Sequence, residues 1–389
     1  MNVSISDFFY SFPERSLPVG QASEYVAYTQ NDFYFKLAAL KNGRRERLQA
    51  YFAAGGIQKI LLGANISGFA FELEGVRIES LDKGFFKEDD PQEIVRKTAY
   101  LEDALVIINN NDVGHHGEMA YYARFFSQCE KTVFVAWDWD NHHWLDVSTF
   151  LAVHSDIYAP AHHENLYLLT RFNWLTAGPV YCATVQWSQR YLAEHLPEMM
   201  THARSDAPLG MHIPYSPFRF RMQVITTLHQ HFSSIGFSDR TFHSRTYEDR
   251  LKEWCAYKAH WICPVLNDVP IRIFDALITG GIPIVPESLR FLPPVCDIGR
   301  EHIVFYSPQD VIQPHRVVER AVGLFDSGGA EKLAERHLFA LTYHHGTGRL
   351  KQMVKYVMEA YDLKVNGMLQ PGLPGGGHDS SHDGLTMNI

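Results

Sequence analysis

Several groups of residues in this sequence have the types and spacing to do chemistry. The segment N-D-V-P-I-R-I-F-D-A-L-I-T-G-G-I-P-I-V-P, residues 267–286, places Arg272 three positions before Asp275. Pro270 suits the first turn of a helix, because its ring fixes φ and it has no amide proton to leave unpaired. Free amides at such a start, together with the helix dipole, attract an anion. Pro270 and Ile271 are therefore expected beside a phosphate, with Arg272 gripping it through its fork of donors. Asp275, on the same helical face, is placed to accept from ribose hydroxyls. Gly280 and Gly281 end the helix and turn the chain into I-P-I-V-P, and Gly281 is counted with the same site. Lys258, in W-C-A-Y-K-A-H-W just upstream, is read on a helix, where its ammonium either reaches the phosphate or only snorkels from an apolar face.

Carboxylates elsewhere have the setting for acid, base or nucleophile. Asp239, in S-S-I-G-F-S-D-R, is expected on a loop, from which it could attack an anomeric carbon or stabilise an oxocarbenium-like transition state. Arg240, His243 and Arg245 follow as a cationic cluster. The plainer alternative is a turn-capping Asp with solvated basic neighbours. Glu164 follows His162 and His163 at the end of the apolar run D-I-Y-A-P. Ligands of open α/β sheets bind beyond the carboxyl ends of strands, so Glu164 is read as general acid/base, with the histidines positioning an acceptor. A Glu favoured by a helix start is the competing reading. In W-D-W-D-N-H-H-W, Asp138, Asp140, His142 and His143 could hold a divalent metal. Contact with a sugar acceptor is the preferred reading, because indole faces stack on sugar rings and carboxylates accept from hydroxyls. The cluster Asn109 to Asp112 is read the same way.

Other chemistries are set aside. No G-x-x-x-x-G-K-[ST], G-x-G-x-x-G, G-x-S-x-G or H-E-x-x-H occurs, and adjacent histidines on a strand point to opposite faces. No metal or other cofactor is expected. A net charge of −9 argues against nucleic acid as partner, since neutralising phosphates needs surplus Lys and Arg. The five cysteines are scattered without a C-x-x-C pair, which argues against a disulfide framework or zinc knuckle. Without a secretory pattern at the start or an apolar run long enough to span a bilayer, the expected location is cytoplasmic, extending to peripheral association at the inner face of the membrane.

These residues need a scaffold, and the apolar pattern supplies one. Hydrophobic residues make up 46% of 389 positions, enough for two cores of ordinary size. Short apolar runs at 56–71, 104–112, 131–140 and 156–160 alternate with helical stretches at 117–129 and 147–154. That is the signature of a parallel sheet. A second series follows: strand-like 181–188, helix 222–232, helix 247–261, strand 261–266, helix 270–280, then strands 282–286 and 301–307. Two helices over 317–345 and one over 350–363 close it. The expected fold is α/β with two Rossmann-like domains, residues 1–190 and 191–363, a helical C-terminal segment, and a flexible tail at 364–389. The site belongs in the cleft between them.

The string P-x-R-x-F-D-A-L-x-x-G-G-I-P-I-V resembles the donor-binding signature of glycosyltransferases of the GT-B architecture. The resemblance covers residues 245–325 and implies a nucleotide-sugar donor, with Arg272 near its phosphate and Asp275 near its ribose. More distantly, the chain resembles the retaining β-Kdo transferases of bacterial surface-glycan synthesis, which implies CMP-Kdo as donor, Asp239 as nucleophile and Glu164 as acid/base. The implied acceptor is an oligosaccharide or lipid-linked glycan of lipopolysaccharide or capsule. A module that keeps this fold but binds a glycan or partner without catalysis is the alternative.

Overall fold

The computed structural model describes residues 43–66, 71–114, 118–140, 145–162, 165–166, 169, 172–173, 175–215, 217–238, 245–266 and 268–362. The first unit contains β1 (Lys59–Leu62), β2 (Arg77–Ser80), α1 (Pro91–Leu101), β3 (Leu105–Ile108), α2 (Asn110–Val113), α3 (Met119–Gln128), β4 (Val133–Asp138), α4 (Leu145–His154) and β5 (Ile157–Pro160). All five strands are parallel, in the order β2-β1-β3-β4-β5. The apolar runs of β3 and β4 are buried on both sides, as a doubly covered sheet requires. Val133, Val135 and Trp137 face one core, while Phe134 and Ala136 face another with Phe125, Phe126 and Leu151. Arg47 reaches into this unit and pairs with the buried Asp156 at 2.5 Å.

The second unit runs α5 (Gln189–Thr201), β6 (Gly210–His212), α6 (Arg219–His229), β7 (Ile235–Phe237), α7 (Tyr247–Cys255), β8 (Ala259–Trp261), α8 (Arg272–Ile278), β9 (Ile282–Pro286), β10 (Val304–Tyr306), α9 (Pro308–Ile312) and α10 (His315–Tyr343). Pairs β6-β7 and β8-β9-β10 join through a parallel bridge, in which Leu209 N donates to Ala259 O at 2.9 Å and Trp261 N to Leu209 O at 2.7 Å. The full order is β7-β6-β8-β9-β10, the same 2-1-3-4-5 winding as the first sheet. Each sheet therefore has a switch point between its first and third strands, where chains diverge and leave a crevice at the carboxyl ends.

The two-unit α/β expectation is met, with instructive local differences. Helix 247–261 ends at Cys255, and Ala259–Trp261 becomes β8 because Ala259 and Trp261 bury against α6 and α10. That tertiary burial overrides helix preference. The stretch 181–188 is no strand; it is the outbound crossing between units, and its one β-type pairing among the described residues is the bridge from Thr184 to His345. Strands β2, β6 and β7 were not foreseen: R-I-E-S, G-M-H and I-G-F contain no apolar run long enough to signal them. The expected pair of helices at 317–345 is present: α10 is two helices that meet at Gly329, whose φ of 55° and ψ of −157° are not helical. The last helix, α11 (Gly346–Ala360), was assigned to the second domain. It crosses back, and Leu350, Met353 and Val357 pack with Ile60, Val135 and Trp137 of the first core.

Gly280 ends α8 at φ 78°, where a side chain is strained, and a Cβ there would lie 2.5 Å from Leu333 of α10. Gly280→Ala should cost about 1–3 kcal/mol of stability by combining strain with overpacking. Urea unfolding would read the loss, and a wild-type midpoint would contradict it.

Candidate active site between two sheet ends

Between the units lies a cleft of about 440 Å³. Asn111, Trp139, Asp140 and His162 reach it from the carboxyl ends of β3, β4 and β5. From the second unit come Tyr215 and Arg221, after β6, and Asp268, Pro270, Ile271 and Arg272, after β8. The two switch points thus face one cavity.

Its positive charge comes from two arginines. Arg272 is the first residue of α8, and its Nη1 donates to Met211 O at 2.7 Å. Arg221 spends Nε on Cys263 O at 3.1 Å and Nη1 on Ile213 O at 2.8 Å. The anchoring carbonyls belong to the ends of β6 and β8, so the strands aim both guanidinium groups. Nε and Nη2 of Arg272 and Nη2 of Arg221 find no acceptor among the described residues. Burial lowers the pKa of both groups, though a guanidinium stays charged at neutral pH. Beside Arg272, a niche of about 40 Å³ is lined by Ser238, Arg245, Arg250, Glu253 and Trp254. Arg245 is paired with Glu253 there.

Two carboxyls complete the cleft. Asp140 accepts from the Asn111 amide, and its own N–H donates to Asn110 Oδ1 at 3.2 Å. Asp268 is half-buried as a residue, but its Oδ1 is shielded from solvent and has no hydrogen-bond partner. Burial, then repulsion from Asp140, pushes this carboxyl up to about 8. At neutral pH it is a protonated donor, able to bind an anionic or hydroxyl oxygen. Arg221 and Asp268 were both missed in the sequence. Arg221 belongs to S-P-F-R-F-R, which gains meaning only once β6 is known to precede it. Asp268 sits at the edge of a segment whose recognisable spacing belongs to Arg272.

The remaining expected residues are distributed as follows. Pro270 and Ile271 line the cleft, but α8 begins at Arg272, two residues later than Pro270. The amides of Ile273, Phe274 and Asp275 donate to Pro270 O and Ile271 O. Asp275 is fully buried outside the cleft lining, with Oδ2 accepting from Gln186 Nε2 at 2.6 Å. Burial raises its pKa to about 6 against the opposing hydrogen bonds of Thr184 and Gln186. This geometry gives it a partner in the crossing chain where ribose was expected. Lys258 lies on no helix. It precedes β8, and its Nζ pairs with Asp206 at 2.6 Å and Asp326 at 2.8 Å. Gly281 precedes β9, and a Cβ there would meet the His260 ring at 2.5 Å. Both positions are at the amino ends of strands, opposite the cleft, so Gly281 serves helix-to-strand packing and Lys258 a surface ion pair.

Asp138 is also withdrawn from the cleft. It is buried in the first unit and accepts from Ser148 Oγ at 2.8 Å, Tyr158 OH at 2.5 Å and Asn165 Nδ2 at 2.6 Å. With those oxygens committed, Asp138 and Asp140 do not form a chelating pair. Asn109 and Asp112 cap α2 reciprocally, leaving Asn111 as the member of that cluster in the cleft. Glu164, His163, His142, Asp239 and Arg240 lie outside the described residues. Their chain neighbours bracket the site: His162 lines the cleft, and Ser238 lines the niche beside Arg272. Among the described residues, a Glu301–His302–Glu335 cluster has the spacing to hold a metal. Lys332 already pairs with Glu335 at 2.5 Å, and none of the three lines the cleft. No helix among the described residues is long and apolar enough to cross a membrane.

No known family profile matches the sequence, and no curated protein matches it. Solved structures similar to the chain include sucrose-phosphate synthase from Thermosynechococcus elongatus, at 13% identity and TM-score 0.44 over 82% of this chain and 92% of that one. Another is α,α-trehalose 6-phosphate synthase from Burkholderia multivorans, at 9% identity and TM-score 0.44 over 82% of this chain and all (100%) of that one. The catalytic domain of starch synthase IV from Arabidopsis thaliana, bound to ADP and acarbose, is similar at 10% identity and TM-score 0.39 over 80% of this chain and 100% of that one.

The raised Asp268 carboxyl generates a pH signature. A carboxyl whose pKa rises on folding stabilises the fold while protonated, and that contribution is full below the unfolded value of about 4. It is lost as pH climbs to the folded value of about 8. Asp268→Asn should therefore lose less stability than the wild type between pH 5 and pH 8. Parallel stability curves for the two proteins would count against the assignment.

Proposed function

We propose that the protein is a glycosyltransferase that moves a sugar from a nucleotide-activated donor to a glycan acceptor within the interdomain cleft. The observation that carries this reading is the pair Arg221 and Arg272, fixed by strand-end carbonyls with donors left over beside the cavity. In transfer, an acceptor oxygen bonds to the anomeric carbon, the carbon–phosphate-oxygen bond breaks, and the hydroxyl proton passes to a base. The departing phosphate gains charge, and preorganised guanidinium donors favour that state. Protonated Asp268 adds a third donor, Asp140 accepts from sugar hydroxyls, and the Trp139 ring supplies an apolar face. Two fixed cations make a bridging metal unnecessary in this reading.

The finer expectation is a CMP-Kdo donor, retention through Asp239, Glu164 as acid/base and a bacterial surface-glycan acceptor at the inner face of the membrane. It rests on sequence resemblance. Asp239→Asn tests it: full turnover in that variant would remove Asp239 from the mechanism.

Titrating UDP-, ADP-, GDP- and CMP-sugars into the full chain tests the broader reading. One donor class should bind, and Arg221→Ala or Arg272→Ala should each weaken it about 10- to 100-fold, the worth of one or two charged hydrogen bonds. Unaltered affinity in both variants would overturn the site. Binding without hydrolysis or transfer to any acceptor would favour the non-catalytic module.

A further inference from the structure

A second cavity, of about 500 Å³, opens beside the cleft and shares its wall at Pro217, Phe218, Arg221, Cys263 and Pro264. It lies over the carboxyl ends of β8, β9 and β10, on the opposite side of Arg221 from the switch point. Nothing in the donor reading uses it.

The chemistry of its wall is one-sided. Val224, Tyr306 and Val311 are buried within it, and Pro286 and Pro308 close its far side. The Tyr306 hydroxyl is turned to Ile262 O at 3.2 Å. Arg221, the one buried cation in the wall, has Nε and Nη1 committed to backbone carbonyls. Glu287 and Ser288 are exposed at the rim. Away from Arg221 Nη2 and from the exposed Arg219, Glu287 and Ser288, a nucleobase or sugar placed here would leave most of its ring nitrogens or hydroxyls without partners, at the cost of desolvation. A hydrocarbon loses nothing by the same transfer and gains in proportion to the area removed from water.

The mouth points the same way. Phe220 and Leu266 line the cavity yet remain 75% and 67% exposed. Large apolar side chains gathered on one rim, beside a vacant apolar space, mark a surface that completes its burial with a ligand. The adjoining cleft is polar and charged. A molecule spanning both must be an amphiphile.

We infer that this cavity binds a hydrocarbon chain borne by the acceptor, whose polar head lies in the adjoining cleft. The inference rests on the glycosyl-transfer reading for the identity of the head and on the cavity alone for the chain. A lipid-linked glycan and a soluble alkyl glycoside share this chemistry.

Calorimetric titration of the full chain with n-octyl β-glucoside, below its micelle threshold, and with glucose tests it. The octyl glycoside should bind at least about tenfold more tightly than glucose, which is the worth of roughly two buried methylenes. Ser288→Trp fills the mouth from an exposed position, and Phe220→Asp places a charge there; neither touches a core or the arginine anchors. Each should remove the octyl preference while leaving nucleotide-sugar affinity unchanged. Equal binding of octyl glucoside and glucose, or an octyl preference that survives both variants, overturns the proposal. A wild type that shows the octyl preference but binds no nucleotide sugar overturns the transfer reading and leaves the chain pocket standing. If vesicles carrying a long-chain glycolipid compete with octyl glucoside, the source is a membrane lipid; competition by soluble alkyl glycosides alone assigns a soluble acceptor.

Discussion

The molecule depends on one buried hydrogen bond more than on any other. Asp275, inside α8, accepts from Gln186 of the outbound crossing at 2.6 Å. That crossing pairs with the return crossing, through Thr184 N to His344 O at 2.8 Å and Gly346 N to Thr184 O at 2.9 Å. Phe274, the neighbour of Asp275, stacks on His344 with ring centroids 4.5 Å apart. The helix that begins with Arg272 is thereby fastened to both chains that join the units. A carboxyl sealed from water this way is costly to ionise, and burial holds its pKa near 6. The cost is tolerable because the bond fixes where the first guanidinium of the cleft stands relative to the opposite sheet. Placing an acid on α8 to reach ribose and placing it to anchor the crossings are competing uses of one side chain, and the geometry here is that of the anchor.

Two identical windings explain why the cleft has polar groups from both units. A parallel sheet sends every strand out at the same end, and a 2-1-3-4-5 order leaves one crevice there. With the sheets' carboxyl ends facing each other, residues just past β3, β4, β5, β6 and β8 meet. The same rule removes Lys258 and Gly281, which lie just before β8 and β9. A position a few residues from Arg272 in sequence is thus a sheet's height away in space.

The sequence made the scaffold legible where strands were long apolar runs. V-F-V-A-W-D and I-P-I-V-P had to be buried, and both are. It was nearly silent on G-M-H and I-G-F, which become strands only because Leu209 is bridged to His260 and the edge pairs with it. The same silence hid Arg221, since an arginine between Phe220 and Met222 signals nothing until a strand end is known to precede it. Arg272 was legible because proline, arginine and paired glycines recur at spacings a helix–turn–strand unit must obey. Asp138 and Asp140 show the limit of a motif. Two residues apart in sequence, they separate because β4 ends between them, one oxygen set satisfied inside the sheet and the other left at the cleft.

Charge in the cleft follows from these placements. The chain is acidic overall, at −9, yet an anionic donor requires a local surplus of positive charge. Arg221 and Arg272 face Asp140, and a fully ionised Asp268 would cancel what they supply. Burial, and after it repulsion from Asp140, opposes that cancellation by pushing the Asp268 carboxyl up to about 8. The second acid then acts as a neutral donor, and the cleft keeps a net cation for a phosphate. A buried acid beside a second acid, which looks unfavourable in isolation, leaves an acidic protein with a local surplus of positive charge in the cleft.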